Sequence, residues 1–151
     1  MGKTFKNFKE IHIYLQKQID DSLKTDVAEY VKDELQTGID DAVYSAGDPI
    51  QYKRRYYSGG GLGDRETMKS KLIKSGELTV TPESERSGAG GRGYEIDQSL
   101  SYNIIKGYGD KSQWWNEPRD FIKQTKDNIK SDNTLVEVMK DSLMGKGFDV
   151  V

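Results

Sequence analysis

The chain has 151 residues, enough for one domain around one core and too few for two ordinary ones. Hydrophobic residues make up 34% and charged residues 32%, which points to a thin core with some burial completed by neighbouring chains, while a formal charge of -2 excludes the global positive field of a dedicated DNA binder. The absence of cysteine excludes disulfides, thiolate metal sites and cysteine nucleophiles, and a cytosolic origin is the natural expectation.

The opening "MGKTFKNFKEIHIYLQ" has no apolar run of signal-peptide length. No later stretch approaches the roughly 20 apolar residues of a membrane span, so neither secretion by that route nor membrane insertion is expected. Residues 5–46 read as helix, because Leu15, Ile19, Leu23, Val27, Val31, Leu35, Ile39 and Val43 recur every fourth position between polar residues. A step of four advances about 40° around a helix of 3.6 residues per turn, so the stripe winds over most of the circumference and one flat contact cannot bury it. Either the segment breaks near Thr25-Asp26, with Thr25 capping a second helix, or its two ends contact different partners. Gly38 is a second weak point. Most of the stripe is expected on the chain's own core, with a subunit contact for the rest.

Gly47 and Pro49 oppose further helix, and residues 47–66 form a docking loop with little apolar content beyond tyrosines. "ETMKSKLIKSG" is a short helix or an irregular strand, and "ELTVTPE" alternates as a half-buried strand ending at Pro82. "SERSGAGGRG" reads as a flexible loop and "YEIDQSLSYNIIKGYG" as one or two more strands, giving a sheet over 67–112 with the glycine-rich piece at a hairpin tip. In "NEPRDFIKQTKDNI", Pro118 sits in the first turn of a helix with Phe121, Ile122, Thr125 and Ile129 on one side. "TLVEVMKDSLMG" has Thr134 and Glu137 at capping-box spacing, Leu135, Val138, Met139 and Leu143 as its apolar face, and Gly145 as a stop. No internal repeat is visible. The expected fold is α+β in one domain: a long N-terminal helical arm (1–46), the docking loop, a small antiparallel β-sheet, and C-terminal helices (113–151) packed on the sheet.

The chemical candidates are thin. "GAGGRG" at 88–93 matches G-x-G-x-x-G but follows polar "ESERS" rather than a buried strand, and "SGGGLGD" lacks the Gly-Lys-Ser/Thr of a P-loop. The single His12 reads as a surface or half-buried structural residue rather than a ligand or base. Asp20-Asp21 and Asp40-Asp41 are neighbours whose side chains diverge on a helix, so neither is a catalytic dyad. No enzyme, cofactor or metal is expected. Interaction features remain. In "YKRRYYSGGGLGD", Tyr52, Lys53, Arg54, Arg55, Tyr56 and Tyr57 combine fork-like donors with rigid aromatic area, a composition found at protein-protein hot spots. The same cations suit an acidic neighbour, non-specific contact with DNA, or a solvated charge run. Adjacent Trp114 and Trp115 point to opposite sides if extended. One is therefore expected under the helix near Pro118 and the other on a face covered in an assembly, with Arg119 orienting them through a carboxylate.

The order of helical arm, "VYSAGDPIQYKRRYYSGGGLGD", strands, "SYNIIKGYGD" and "EPRDFIKQTKDNI" resembles the tail-completion, or neck, proteins of long-tailed bacteriophages, a head-tail joining family. Val43, Tyr44, Tyr52, Arg54, Arg55, Gly61 and Leu62 match one motif block, and Tyr102, Ile105, Gly107, Gly109, Pro118, Arg119, Phe121 and Ile122 the other. The resemblance spans roughly 25–130 and departs at the glycines 59–61 and 88–93 and after Ile129. It implies a structural virion protein at the head-tail junction, made in the host cytoplasm and present in several copies around the channel. Its partners would be a connector or stopper ring on one side and a tail terminator or tail end on the other. The alternative is a generic protein- or nucleic-acid-binding module using the loop 52–57. The thin core also predicts that the isolated chain is monomeric or weakly associated.

Overall fold

A computed structural model describes residues 4–47, 57, 59, 61–83, 100–107 and 117–150. The N-terminal arm is helical from Phe8 to Tyr44: α1 (Phe8–Ser22), a π turn (Leu23–Val27), α2 (Ala28–Ile39) and a second π turn (Asp40–Tyr44). Asn7 caps its start, accepting the Glu10 N–H at 3.0 Å. Of the two alternatives for the arm, a break near Thr25-Asp26 does not occur. Backbone angles stay helical at both ends of the first π turn, and the Thr25 hydroxyl donates back to the Asp21 carbonyl at 2.9 Å instead of capping. The π turns reduce the winding. Each accommodates one extra residue, about 100° of phase, so two of them cancel most of the roughly 280° that the stripe would drift between Leu15 and Val43. Val27, Leu35, Ile39 and Val43 are accordingly buried along one side.

After a single 3₁₀ turn (Arg65–Thr67), β1 (Met68–Lys74) and β2 (Glu77–Pro82) form an antiparallel hairpin with Met68 opposite Pro82 and Leu72 opposite Leu78. The ambiguous "ETMKSKLIKSG" is thus mainly strand. The turn is Ser75-Gly76, with Gly76 at φ +80°, a conformation that favours glycine. Asp20 holds the tip: its carboxylate accepts the Ser75 hydroxyl and the Gly76 N–H, each at 2.7 Å. The glycine-rich run at 88–93, expected at a hairpin tip further along the chain, lies outside the described residues.

Residues 100–106, expected as strand, are helix α3 (Leu100–Lys106). The isoleucine pair carries β propensity, but Ser101 and Ile104, three apart and both buried, need a helical period to share one side. Gly107 at φ +70° ends the turn, and the Arg119 N–H takes the Ile104 carbonyl at 3.1 Å. Helix α4 (Phe121–Ser131) starts later than expected, after Pro118, because Asp120 caps it by accepting the Lys123 N–H at 2.9 Å. Phe121 and Thr125 are buried and Ile122 and Ile129 half-buried, as the spacing predicts. In α5 (Thr134–Gly145), Thr134 lies inside the helix, so no capping box forms at it; Asp132 instead accepts the Thr134 N–H at 3.0 Å. Gly145 is still helical, and the chain turns at Gly147, which has φ +87°.

The class is α+β: a long N-terminal helical region, a two-stranded antiparallel sheet and C-terminal helices. The C-terminal helices take their main contacts from the arm rather than the sheet, α4 crossing α2 and α5 lying along α1 and the first π turn. A two-stranded hairpin with few buried side chains offers little surface to receive them. Gly38 is the crossing point of α2 and α4. A Cβ there would stand 2.2 Å from Thr125 Oγ1 and 3.0 Å from the Phe121 carbonyl oxygen, so this glycine permits close approach rather than marking a weak point. One core unites Leu35, Ile39, Val43, Leu62, Met68, Ile104 and Phe121.

Candidate interaction site

The described part of the docking loop is its root. The chain leaves the second π turn at Tyr44 and is pinned again at Tyr57 and Gly61–Asp64 against that same turn. The Tyr57 hydroxyl donates to the Asp40 carboxylate, and its ring meets Tyr44 edge-on at 5.8 Å between centroids. Gly63 makes this stacking feasible, since a Cβ there would fall 2.9 Å from the Tyr57 ring. Its N–H donates to the Tyr44 hydroxyl at 3.1 Å, and its carbonyl accepts the Gln36 amide at 2.6 Å. Leu62 drops between these anchors into the core. Leu62 of the first motif block is thus 3% exposed and serves the loop by anchoring it rather than by facing a partner.

Arg119 is half-buried beside the same turn, its guanidinium donating to the Val43 carbonyl at 3.4 Å and its N–H to Ile104. It fastens the C-terminal segment to both the arm and α3. Tyr57, held by Asp40 and Tyr44, stays half exposed. Tyr52, Lys53, Arg54, Arg55, Tyr56, Trp114 and Trp115 lie outside the described residues. The matched motif blocks nevertheless converge: Val43 and Leu62 of the first and Phe121 of the second are buried together, with Tyr44, Ile105 and Ile122 packed against them.

Charge collects on the arm's outer side. Arg65 bridges Glu29, at 2.6 Å, and Asp33, and Lys32 reaches Glu29 at 2.8 Å. Hydrogen bonds from Lys32 and Arg65 hold the Glu29 carboxyl below its usual range. The Ser75 hydroxyl and the Gly76 N–H do the same for Asp20. Asp20, Gln36 and Asp40 escaped the sequence reading because each acts on a residue far along the chain.

His12 is exposed on α1. Among the described residues no three His, Cys, Asp or Glu side chains cluster as metal ligands, and no helix is long and apolar enough to cross a membrane. What the site can do is hold a basic-aromatic loop at fixed ends. Two helical residues, two aromatic rings and a buried leucine set where that loop leaves and re-enters.

No curated protein and no solved structure matches the chain. The profile of the YomN family matches residues 7–144, from the cap of α1 to within one residue of the end of α5. The chain therefore belongs to the YomN family, which is named after a gene product of the Bacillus phage SPbeta region and marks the chain as phage-associated.

Proposed function

We propose that the chain is a non-catalytic structural protein of the phage neck, joining the head connector to the tail and completing the junction during assembly. The observation that carries this reading is the convergence of the two neck-like motif blocks on one core at the root of the basic-aromatic loop. Residues that resemble neck proteins over separate short stretches are brought together where they can present one loop. On this reading the loop 52–57 docks a connector or stopper ring through its arginines, and the tail terminator or tail end meets another face. The chain would occur in several copies in the virion. A loop that gains its final shape on docking incurs its ordering cost once, at assembly.

The test is Arg54→Ala combined with Arg55→Ala. Particles assembled with this variant should incorporate less of the protein, while its melting curve stays close to wild type. Normal incorporation with a lowered melting temperature would instead make the arginines structural and remove the docking role.

A further inference from the structure

Helix α5 is rich in apolar residues and barely buries them. Leu135, Val138, Met139 and Leu143 are half-buried and Val136 and Met144 exposed, so that the one buried residue of the helix is Ser142. Between α5 and the first π turn an apolar groove of about 390 Å³ stays open, walled by Leu23, Val27, Met139 and Leu143. Among the described residues, the core built on Leu35, Ile39, Val43 and Phe121 takes no side chain from α5.

What seats the helix is polar. The Lys146 ammonium, at the end of α5, donates to Ser22 Oγ at 2.6 Å and to the Gln18 carbonyl at 3.1 Å. Ser142 Oγ lies 2.9 Å from Ser22 Oγ and is also hydrogen-bonded to the Asp26 carboxylate. Ser142 has a single proton for these two oxygens, and a carboxylate can only accept. That proton therefore goes to Asp26, and Ser22, whose oxygen accepts from Lys146, gives its own proton to Ser142. The result is one directed relay from cation to anion, with both serines buried between α5 and the arm. Two further contacts flank it: Thr134 is hydrogen-bonded to the Tyr30 hydroxyl, and the Phe148 ring stands 5.9 Å from that of Tyr14.

We infer that α5, with the residues up to Phe148, is a releasable strap, which closes on the arm through this relay and swings away as a unit while the core stays folded. Water replaces most of the relay's hydrogen bonds when the strap opens, whereas a helix seated by buried apolar side chains has no such replacement. Opening is therefore easier than unfolding. Closure is still specific, because the two buried serines are satisfied in one seating of α5. The pivot is Asp132-Asn133, where the extended backbone of Asp132 ends α4, itself held in the core by Phe121. This device is independent of the neck reading.

Hydrogen exchange of the full chain, followed at increasing urea, tests it. The amides of α5 should exchange at least about tenfold faster than those of α2 and α4 and with a smaller urea dependence, as a partial opening requires. Lys146→Met should speed α5 exchange about tenfold. Gly38→Ala strains the crossing of α2 and α4 in closed and open forms alike, so it should speed exchange in α4 and leave α5 unchanged. The chain has no cysteine, and the Ser22 and Ser142 oxygens are close enough for sulfurs in their places to bond. Oxidising the double variant Ser22→Cys with Ser142→Cys should raise α5 protection to that of α4, and reduction should reverse this. Four results each overturn the strap: α5 exchanging with the rate and urea dependence of α4 or without any protection, Gly38→Ala speeding both helices alike, Lys146→Met leaving α5 unchanged, or the two cysteines failing to cross-link.

Discussion

Replacing Gly38 by alanine isolates the helix crossing on which the fold depends. In an exposed helix the change would stabilise by about 1 kcal/mol, since alanine has the better helix propensity. Here the added Cβ would lie 2.2 Å from Thr125 Oγ1, 3.0 Å from the Phe121 carbonyl oxygen and 3.1 Å from the Thr125 nitrogen. The hydroxyl can rotate away only by giving up its 2.8 Å bond to the Phe121 carbonyl, worth about 1 kcal/mol. The two backbone atoms can yield only if α4 shifts, an overpacking cost of typically 1–3 kcal/mol. After the propensity gain, the net loss is about 1–3 kcal/mol. For a chain of this length that lowers the melting temperature by roughly 2–12 °C. Thermal and urea unfolding would measure it, with Gly145→Ala as control, because a Cβ at Gly145 meets nothing within 4 Å. Combining Gly38→Ala with Thr125→Ala removes the closest overlap and should cost less than the two single changes added together. If Gly38→Ala proves as stable as wild type, the close crossing of α2 and α4 is wrong.

Asp20→Asn should loosen the hairpin tip, seen as faster amide exchange at Gly76. The folded-state pKa of Asp20 is depressed below its ordinary 3.8, so the contribution of this carboxylate is complete above that value. It is lost as pH falls through the lower folded-state value, and acid titration of the variant should lack that part of the loss. Thr25→Ala should change stability by no more than about 0.5 kcal/mol, as for an exposed residue outside any cap. A loss of ~1 kcal/mol would restore a capping role. Ser142→Ala removes the Ser142 hydroxyl from Ser22 and Asp26 at the α5 interface; Ser22 keeps the Lys146 ammonium and Asp26 is exposed to water, so urea unfolding should show a loss of about 1 kcal/mol.

Local pattern determined a good deal by itself. The stripe from Leu15 to Val43 identified the long arm, the Leu78/Val80 alternation identified β2, and Phe121, Ile122, Thr125 and Ile129 identified the buried side of α4. Each of these signals is a period set by backbone geometry and readable within a dozen residues. Tertiary contact decided the rest. The arm is one helix whose two π turns reduce the drift of its stripe, so that Val27, Leu35, Ile39 and Val43 are buried while Leu15 stays exposed, which a regular period cannot reveal. Residues 100–106 are helical because Ile104 must reach the core formed with Val43 and Phe121, against the strand preference of its own side chain. Gly38 looked like a defect until Thr125 was placed against it, and Asp40 looked idle until Tyr57 returned to it. In each case the deciding partner is remote in sequence, so its energy enters only once the chain has folded.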